Sequence, residues 1–290
     1  MAIVSIMQGR LVPPVEGRFQ SFPRGLWEQE FDLAAAAKLD AIEWIYDEFG
    51  CDVNPLATDA GIESVRECVR RTGVAVRSVC ADYFMDHPFV RVAVDEWRQR
   101  IDVLSWLLAR CRAMGAGRVV LPFVDASRIA DNSDFERVVA TLNAALPAAE
   151  RLNIELHLET DLVPARFGKL LTELDHPLVR VNYDSGNSAS LGYDVGEEFA
   201  VYGPRIGSIH IKDRLRAGGT TPLGSGNADF NALFDCVEQF GYSGDFVLQV
   251  ARPQATDEVS WAKTNRDFVL ERLARSDRAT GGRLLKAGDE

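Results

Sequence analysis

The feature that most constrains this chain is a repeated alternation of short apolar, β-branched runs with longer amphipathic stretches. Such runs predict strands, and consecutive strands separated by helical stretches form parallel βαβ units. The predicted strands are Ile3–Met7, Ala41–Ile45, Ala75–Cys80, Arg118–Phe123, Ile154–Glu159, Val179–Tyr183, Ile206–Ile211 and Phe246–Val250.

The stretches between these runs have the apolar spacing expected of helices. Eight strand–helix pairs predict that the sheet closes into a (β/α)8 TIM barrel. An open, doubly wound sheet has the same local pattern, but no run is followed by the G-x-G-x-x-G motif that would favour it. The predicted helices are Trp27–Lys38, Ile62–Thr72, Val94–Met114, Phe135–Leu152, Pro164–Leu174, Gly196–Tyr202, Phe230–Phe240 and Val259–Leu273.

Length and composition favour one domain. The chain has 290 residues and is 47% hydrophobic, which suits a single barrel over residues 1–275. The polar segment 276–290 is expected to be a disordered tail. Neither a signal peptide nor an apolar stretch of about 20 residues is found, and the five cysteines lack a C-x-x-C pair. These features predict a cytoplasmic protein that does not enter a membrane.

The charge balance argues against nucleic acid as a partner. The chain carries 32 Lys and Arg against 43 Asp and Glu, a formal net charge of -11, which repels a phosphate backbone. A small anion held by two or three basic side chains remains compatible with this balance.

Each of the last four predicted strands ends in a side chain with an oxygen or nitrogen donor: Glu159, Asp184, His210 and Gln249. Active sites of TIM barrels lie at these strand ends. Taken singly, such residues are more often solvated rim charges or ordinary core histidines. Together they predict a site for one divalent metal ion, Mn²⁺ first, with Mg²⁺, Co²⁺ and Zn²⁺ as alternatives.

Several motifs around these residues resemble those of the xylose isomerase-like TIM barrel superfamily, the sugar phosphate isomerases and epimerases. Within it the chain is most similar to ketose 3-epimerases and L-ribulose/L-xylulose-phosphate 3-epimerases. The motifs are Ser78-Val79-Cys80, Tyr183-Asp184-Ser185-Gly186-Asn187, His210-Ile211-Lys212-Asp213 and Pro222-Leu223-Gly224-Ser225-Gly226 with Asp229-Phe230.

The resemblance implies one metal ion held by a Glu, an Asp, a His and a second Glu, with the two glutamates serving as acid and base. Glu159, Asp184 and His210 match the first three, but Gln249 stands in place of the second Glu. An amide can offer oxygen to a metal, yet it cannot exchange a proton near neutral pH. Glu159 is therefore the predicted base, and one-base chemistry fits better than two-base epimerisation.

Further polar residues follow the strands. Lys212 shares the inward face with His210 and is predicted to steady an enediolate or a phosphate, or else to form a salt bridge with Asp213 or another neighbour. His157 lies one layer below Glu159 and is predicted to support it from beneath. Residues predicted to contact substrate, each with an ordinary structural role as the alternative, are Arg10, Glu43, Trp44, Asp82, Asn187 and Arg252.

These observations favour a metal-dependent isomerase or epimerase that removes a proton beside the carbonyl of a small sugar or sugar phosphate. A lyase or dehydratase acting on a keto sugar or cyclitol is the first alternative, and a non-catalytic sugar-binding barrel the second. A nuclease of the same fold would need a histidine-rich site and a basic groove, which four histidines and the net charge do not favour. The resemblance also implies a homodimer or homotetramer.

Overall fold

The computed structural model describes residues 2–252 and 257–284, and within them eight parallel strands close into a barrel. The circular order of the barrel strands is β1-β10-β7-β6-β5-β4-β3-β2. A short antiparallel hairpin, β8 (Asp213–Arg214) with β9 (Thr220–Thr221), interrupts the alternation after β7. The barrel strands are β1 (Val4–Met7), β2 (Ala41–Ile45), β3 (Ala75–Cys80), β4 (Arg118–Phe123), β5 (Glu155–Thr160), β6 (Val179–Asp184), β7 (Ile206–Ile211) and β10 (Asp245–Leu248).

Helices cover the outside of the barrel, and the predicted barrel fold is confirmed. Every predicted strand and helix is present, with ends that mostly shift by one to three residues. Two short helices, α3 and α7, were not predicted. The helices are α1 (Trp27–Ala36), α2 (Asp59–Thr72), α3 (Tyr83–Asp86), α4 (Val94–Met114), α5 (Asn132–Leu152), α6 (Pro164–Glu173), α7 (Ser185–Leu191), α8 (Val195–Tyr202), α9 (Phe230–Gln239) and α10 (Glu258–Leu284).

The backbone of α10 continues as helix to Leu284, within the segment 276–290. A disordered tail over this segment stays a prediction. Residues 285–290 lie outside the described part of the chain. Among the described helices, none combines the length and the apolar character needed to cross a bilayer.

An aromatic cluster fills the space between β2 and α1. The Trp44 ring lies 5.7 Å from that of Phe22, 5.6 Å from that of Trp27 and 6.4 Å from that of Phe31. Its indole N–H donates to Asn54 Oδ1 at 3.0 Å, so the buried polar group is satisfied. Trp44 therefore packs outside the barrel wall, not at the mouth where we expected it to contact a sugar.

Strand register brings the predicted ligand positions to one end of the barrel. Asp184 pairs with His210 across β6 and β7, and Leu248 pairs with Ile211 across β10 and β7. Gln249 follows directly after β10, and its backbone N–H donates to the carbonyl of Ile211. Parallel strands share a C-terminal edge, so these side chains face one another.

Replacement of Trp44 by alanine is expected to cost about 3–5 kcal/mol of unfolding free energy, because it empties a fully buried site. Trp106→Ala is the matched control, since this ring is 36% exposed and stacks only on Tyr46 among the described rings; its expected cost is about 1 kcal/mol. Urea unfolding of both variants measures the difference. Equal costs would contradict a structural role for Trp44.

Candidate metal centre

Three charged side chains converge at the mouth of the barrel. One ligand atom from each of Glu159, Asp184 and His210 lies within 4.8 Å of the others, and all three residues are buried. They come from the C-terminal ends of β5 and β6 and the body of β7. Two buried carboxylates beside one imidazole form a donor set that could hold a divalent cation.

Glu43 fixes the orientation of the His210 ring. Its Oε1 lies 2.7 Å from His210 Nε2, while its Oε2 accepts a hydrogen bond from Ser78 Oγ at 2.6 Å. His210 Nδ1 is buried without a hydrogen-bond partner among the described residues, and Glu159 Oε2 is 3.4 Å from it. The unpaired nitrogen thus faces the cluster, as a metal ligand oriented by an outer carboxylate would. We expected Glu43 to contact substrate, whereas it lies fully buried beneath the imidazole.

Asp184 divides its carboxylate between two tasks. Oδ1 accepts the backbone N–H groups of Gly186 and Asn187, each at 2.8 Å, and so caps the first turn of α7. This capping fixes the plane of the carboxylate. Oδ2 is left to face the cluster, where Lys212 Nζ lies 3.3 Å away.

Glu159 is held by two side-chain amides. Asn182 Nδ2 donates to Oε2 at 2.8 Å, and Asn187 Nδ2 donates to Oε1 at 2.7 Å. Burial, with the negative charge of Asp184 as the next cause, raises the pKa of Glu159 to about 7. The carboxyl group can therefore both take up and release a proton near neutral pH.

His157 supports this arrangement from below. Its Nδ1 lies 2.7 Å from Ser208 Oγ, and Ser208 Oγ donates to Asn182 Oδ1 at 2.6 Å. Because Asn182 in turn donates to Glu159, a line of hydrogen bonds rises through the barrel to the candidate base. Sequence reasoning missed Asn182, although its position two residues before Asp184 places it on the same inward face.

Lys212 places an ammonium group among the remaining oxygens. Nζ lies 3.3 Å from Asp184 Oδ2, 3.4 Å from Asn187 Oδ1 and 3.1 Å from Gln249 Oε1. A positive charge is thus already accommodated by oxygens of Asp184 and Gln249, two of the predicted ligands. The predicted salt bridge forms to a neighbour, Asp184, at 3.3 Å. It does not form to Asp213, whose carboxylate accepts backbone N–H groups from 224, 226 and 228.

Two predicted substrate residues hold a loop instead. Arg10 donates to the carbonyls of Phe19 at 2.8 Å and Val250 at 3.1 Å, and Arg252 donates to those of Phe19 at 3.1 Å and Val12 at 3.0 Å. Both guanidiniums therefore fasten residues 8–26, which we name the β1 loop, across the mouth. Direct contact of either arginine with substrate stays a prediction.

A cavity of about 190 Å³ opens beside the cluster, and Asn187 contributes to its lining. Arg214, which sequence reasoning missed, also lines it and donates from Nη1 to Asn187 Oδ1 at 2.9 Å. No strand-end pattern pointed to Arg214, because it lies in the hairpin after β7. Asp82, a further predicted substrate residue, lies elsewhere at the mouth and accepts a hydrogen bond from Gln20.

A family model described as "Xylose isomerase-like TIM barrel" matches residues 31–272. The L-ribulose-5-phosphate 3-epimerase UlaE of Escherichia coli strain K12 is 24% identical over 267 residues, covering 89% of this chain and 94% of the relative.

Solved structures share the fold at lower identity. An L-ribulose 3-epimerase superposes with a TM-score of 0.77 at 19% identity, covering 97% of both chains. The IolI protein with a bound zinc atom superposes with a TM-score of 0.76 at 15% identity, covering 94% of this chain and 99% of that one.

The Glu43–His210 pair predicts a pH dependence in the metal-free protein. Burial lowers the pKa of His210, but the charge and hydrogen bond of Glu43 outweigh it and raise the pKa to about 9. Because this is above the usual value, the stabilisation is fully present below about pH 6.5 and is lost as pH rises through 9. Glu43→Gln should lower the pKa of His210 from about 9, although the charges of Glu159 and Asp184 still raise it, as followed by NMR of the imidazole in chelator-treated protein.

Glu48→Gln is the matched control for this titration. Glu48 forms a similar contact with His87, 2.9 Å long, on the protein surface. Its removal should leave the titration of His210 unchanged. A His210 that still titrates near 9 in Glu43→Gln would contradict the role assigned to the buried carboxylate.

Proposed function

Because the chain belongs to the xylose isomerase-like TIM barrel family, we propose that it is a divalent-metal-dependent isomerase or epimerase of a small sugar or sugar phosphate. The observation that carries the proposal is Glu159, a buried carboxyl group with a pKa of about 7 beside a set of potential metal ligands. Relatives named as sugar epimerases support the same class of reaction.

The residues that would hold the ion are Glu159, Asp184, His210 and Gln249. The unpaired Nδ1 of His210 and the lysine ammonium among the oxygens support the fit. A bound divalent ion would polarise a substrate carbonyl and so acidify the neighbouring C–H bond. We take Mn²⁺ as the first ion to test, because carboxylate and amide oxygens with one imidazole suit it, and Zn²⁺ as the second, because IolI binds zinc.

Glu159 would remove the proton from the carbon beside the carbonyl. The amides of Asn182 and Asn187 restrain both carboxylate oxygens, so the base is oriented before substrate arrives. The same carboxyl group would return the proton in the second half of an isomerisation. The partly buried ammonium of Lys212 would donate to the oxyanion that develops on the substrate.

Gln249 decides between reactions within this class. Inversion at one carbon requires proton delivery to the face opposite the base, and a glutamine amide cannot deliver it. One-base aldose–ketose isomerisation therefore fits the residues better than two-base epimerisation. Elimination of a β-hydroxyl from a keto sugar or cyclitol is the second candidate, since no acid on the opposite face is then required.

The surroundings support a small polar substrate in a reducing compartment. Arg214 and Asn187 offer polar groups to sugar hydroxyls at the 190 Å³ cavity. All five cysteines are free thiols, which supports a cytoplasmic location. Assembly as a homodimer or homotetramer is carried over from the resemblance as part of the proposal.

Deuterium exchange tests the base directly. Metal-loaded protein in D₂O with a panel of ketoses, keto sugars and their phosphates should introduce deuterium beside the carbonyl, detected by NMR. Glu159→Gln should slow this exchange by about 10²–10⁴-fold, whereas Glu150→Gln, an exposed control, should not. Product mass separates isomerisation from dehydration. Substrate binding without exchange in the wild type would instead support a sugar-binding protein.

Metal binding is tested through stability. Mn²⁺ at 100 times its Kd should raise the unfolding free energy of chelator-treated protein by about 2.7 kcal/mol. Asp184→Asn should remove most of this gain. Asp194→Asn should keep it, because Asp194 caps α8 as Asp184 caps α7 but is not one of the proposed ligands. An unchanged gain in Asp184→Asn would place the ion elsewhere.

A further inference from the structure

The side-chain amide of Gln249 is paired at both ends. Its Nε2 donates to Gln20 Oε1 at 3.0 Å, and its Oε1 accepts from Lys212 Nζ at 3.1 Å. Gln20 belongs to the β1 loop, 229 positions earlier in the chain. A side-chain amide can rotate by 180°, which exchanges the positions of its oxygen and its nitrogen. Some neighbouring group must therefore fix which of the two atoms of Gln249 faces Gln20.

Arg10 supplies that cause. A guanidinium only donates, and Arg10 Nη2 donates to Gln20 Oε1 at 2.9 Å while its other nitrogens donate to the carbonyls of Phe19 and Val250. The side chain is buried and cannot turn away. On the other side, Gln20 Nε2 donates to Asp82 Oδ2 at 2.7 Å. A reversed Gln20 would set its NH₂ against the guanidinium and its oxygen against a carboxylate.

The direction of Gln20 dictates that of Gln249. With an acceptor fixed in front of it, position 249 must present an N–H there, and its oxygen then faces Lys212 Nζ, which also contacts Asp184 Oδ2 of the cluster. A glutamate would set one carboxylate oxygen against Gln20 Oε1 with no hydrogen between them. Two opposed acceptors at this distance, in a partly buried contact, are unfavourable.

We propose that Gln20 is a positioning residue that, held by Arg10 and Asp82, turns the carbonyl oxygen of Gln249 toward Glu159, Asp184 and His210. The inference rests on the proposed function only in assigning that oxygen to a metal ion. It makes glutamine the residue that fits at position 249 and glutamate the residue that the β1 loop excludes. The site then has a neutral oxygen on the face opposite the base.

A double-mutant cycle of Gln20→Met and Gln249→Glu tests this pairing. Methionine keeps the length of Gln20 but removes the acceptor. The carboxylate added by Gln249→Glu should strengthen Mn²⁺ binding, measured by calorimetry. This gain in affinity should be about tenfold larger in the Gln20→Met background than in the wild type. In metal-free protein, Gln249→Glu should lower Tm by about 2–4 °C more when Gln20 is present. Effects of Lys212 cancel, because they occur in both backgrounds.

A second background keeps the test valid if Gln20→Met does not fold. The double variant Gln20→Glu with Asp82→Asn keeps an acceptor oxygen at position 20 facing position 249. The amide introduced at position 82 donates a hydrogen bond to the side chain at position 20, in place of the Asp82 carboxylate. Gln249→Glu should then cost more than in the wild type, because two carboxylates meet. Gln99→Met, on the exposed face of α4, controls for the substitution and should change neither readout.

The outcomes separate the two proposals. If the protein binds Mn²⁺ and the effects of the two substitutions are additive within about twofold, the positioning role of Gln20 is overturned and the proposed function stays intact. If the two substitutions are coupled in the Tm of metal-free protein, but the protein binds no Mn²⁺, the pairing of Gln20 with Gln249 is supported and the metal assignment is overturned. Coupling in both readouts supports both.

Discussion

The structure depends on a concentration of charge inside an apolar barrel. Two carboxylates, Glu159 and Asp184, lie buried within hydrogen-bonding reach of neutral amides, backbone N–H groups and one lysine. Like charges at this separation repel strongly where water is excluded. The cap on α7, the Glu43–His210 pair and the placement of Lys212 each lower that cost, and a divalent cation would lower it further.

The parallel barrel makes such a concentration feasible. Side chains along each strand point alternately to the outer aliphatic layer and to the barrel interior. One strand therefore supplies both core residues and residues of the candidate site. On β7, Ser208 and His210 face inward in successive layers, and β5 does the same with His157 and Glu159. The resulting polar column is satisfied internally at most positions. Its top is the cluster, and its lower layers hold that cluster in place.

Sequence reasoning located the strands and the cluster of Glu159, Asp184 and His210 because both have short-range signatures. Apolar runs define strands, and the barrel rule then marks the residues that follow them. It did not foresee that Glu43 and Trp44 support His210 and the helical layer, or that Arg10 holds the β1 loop. The depth of a residue in the barrel and its contacts with residues far along the chain leave no local pattern in the sequence. Gln20 was invisible for the same reason, since its role arises only from contacts with 10, 82 and 249.

The attachment of the β1 loop has a consequence for how this barrel can diversify. Arg10 and Arg252 grip the loop through the carbonyl groups of Phe19 and Val12, which every amino acid carries in the same place. Apart from Arg10 and Gln20, side chains along the loop can therefore be exchanged over generations while these contacts persist. Mutation can vary the surface of this segment without first dismantling the scaffold that holds it.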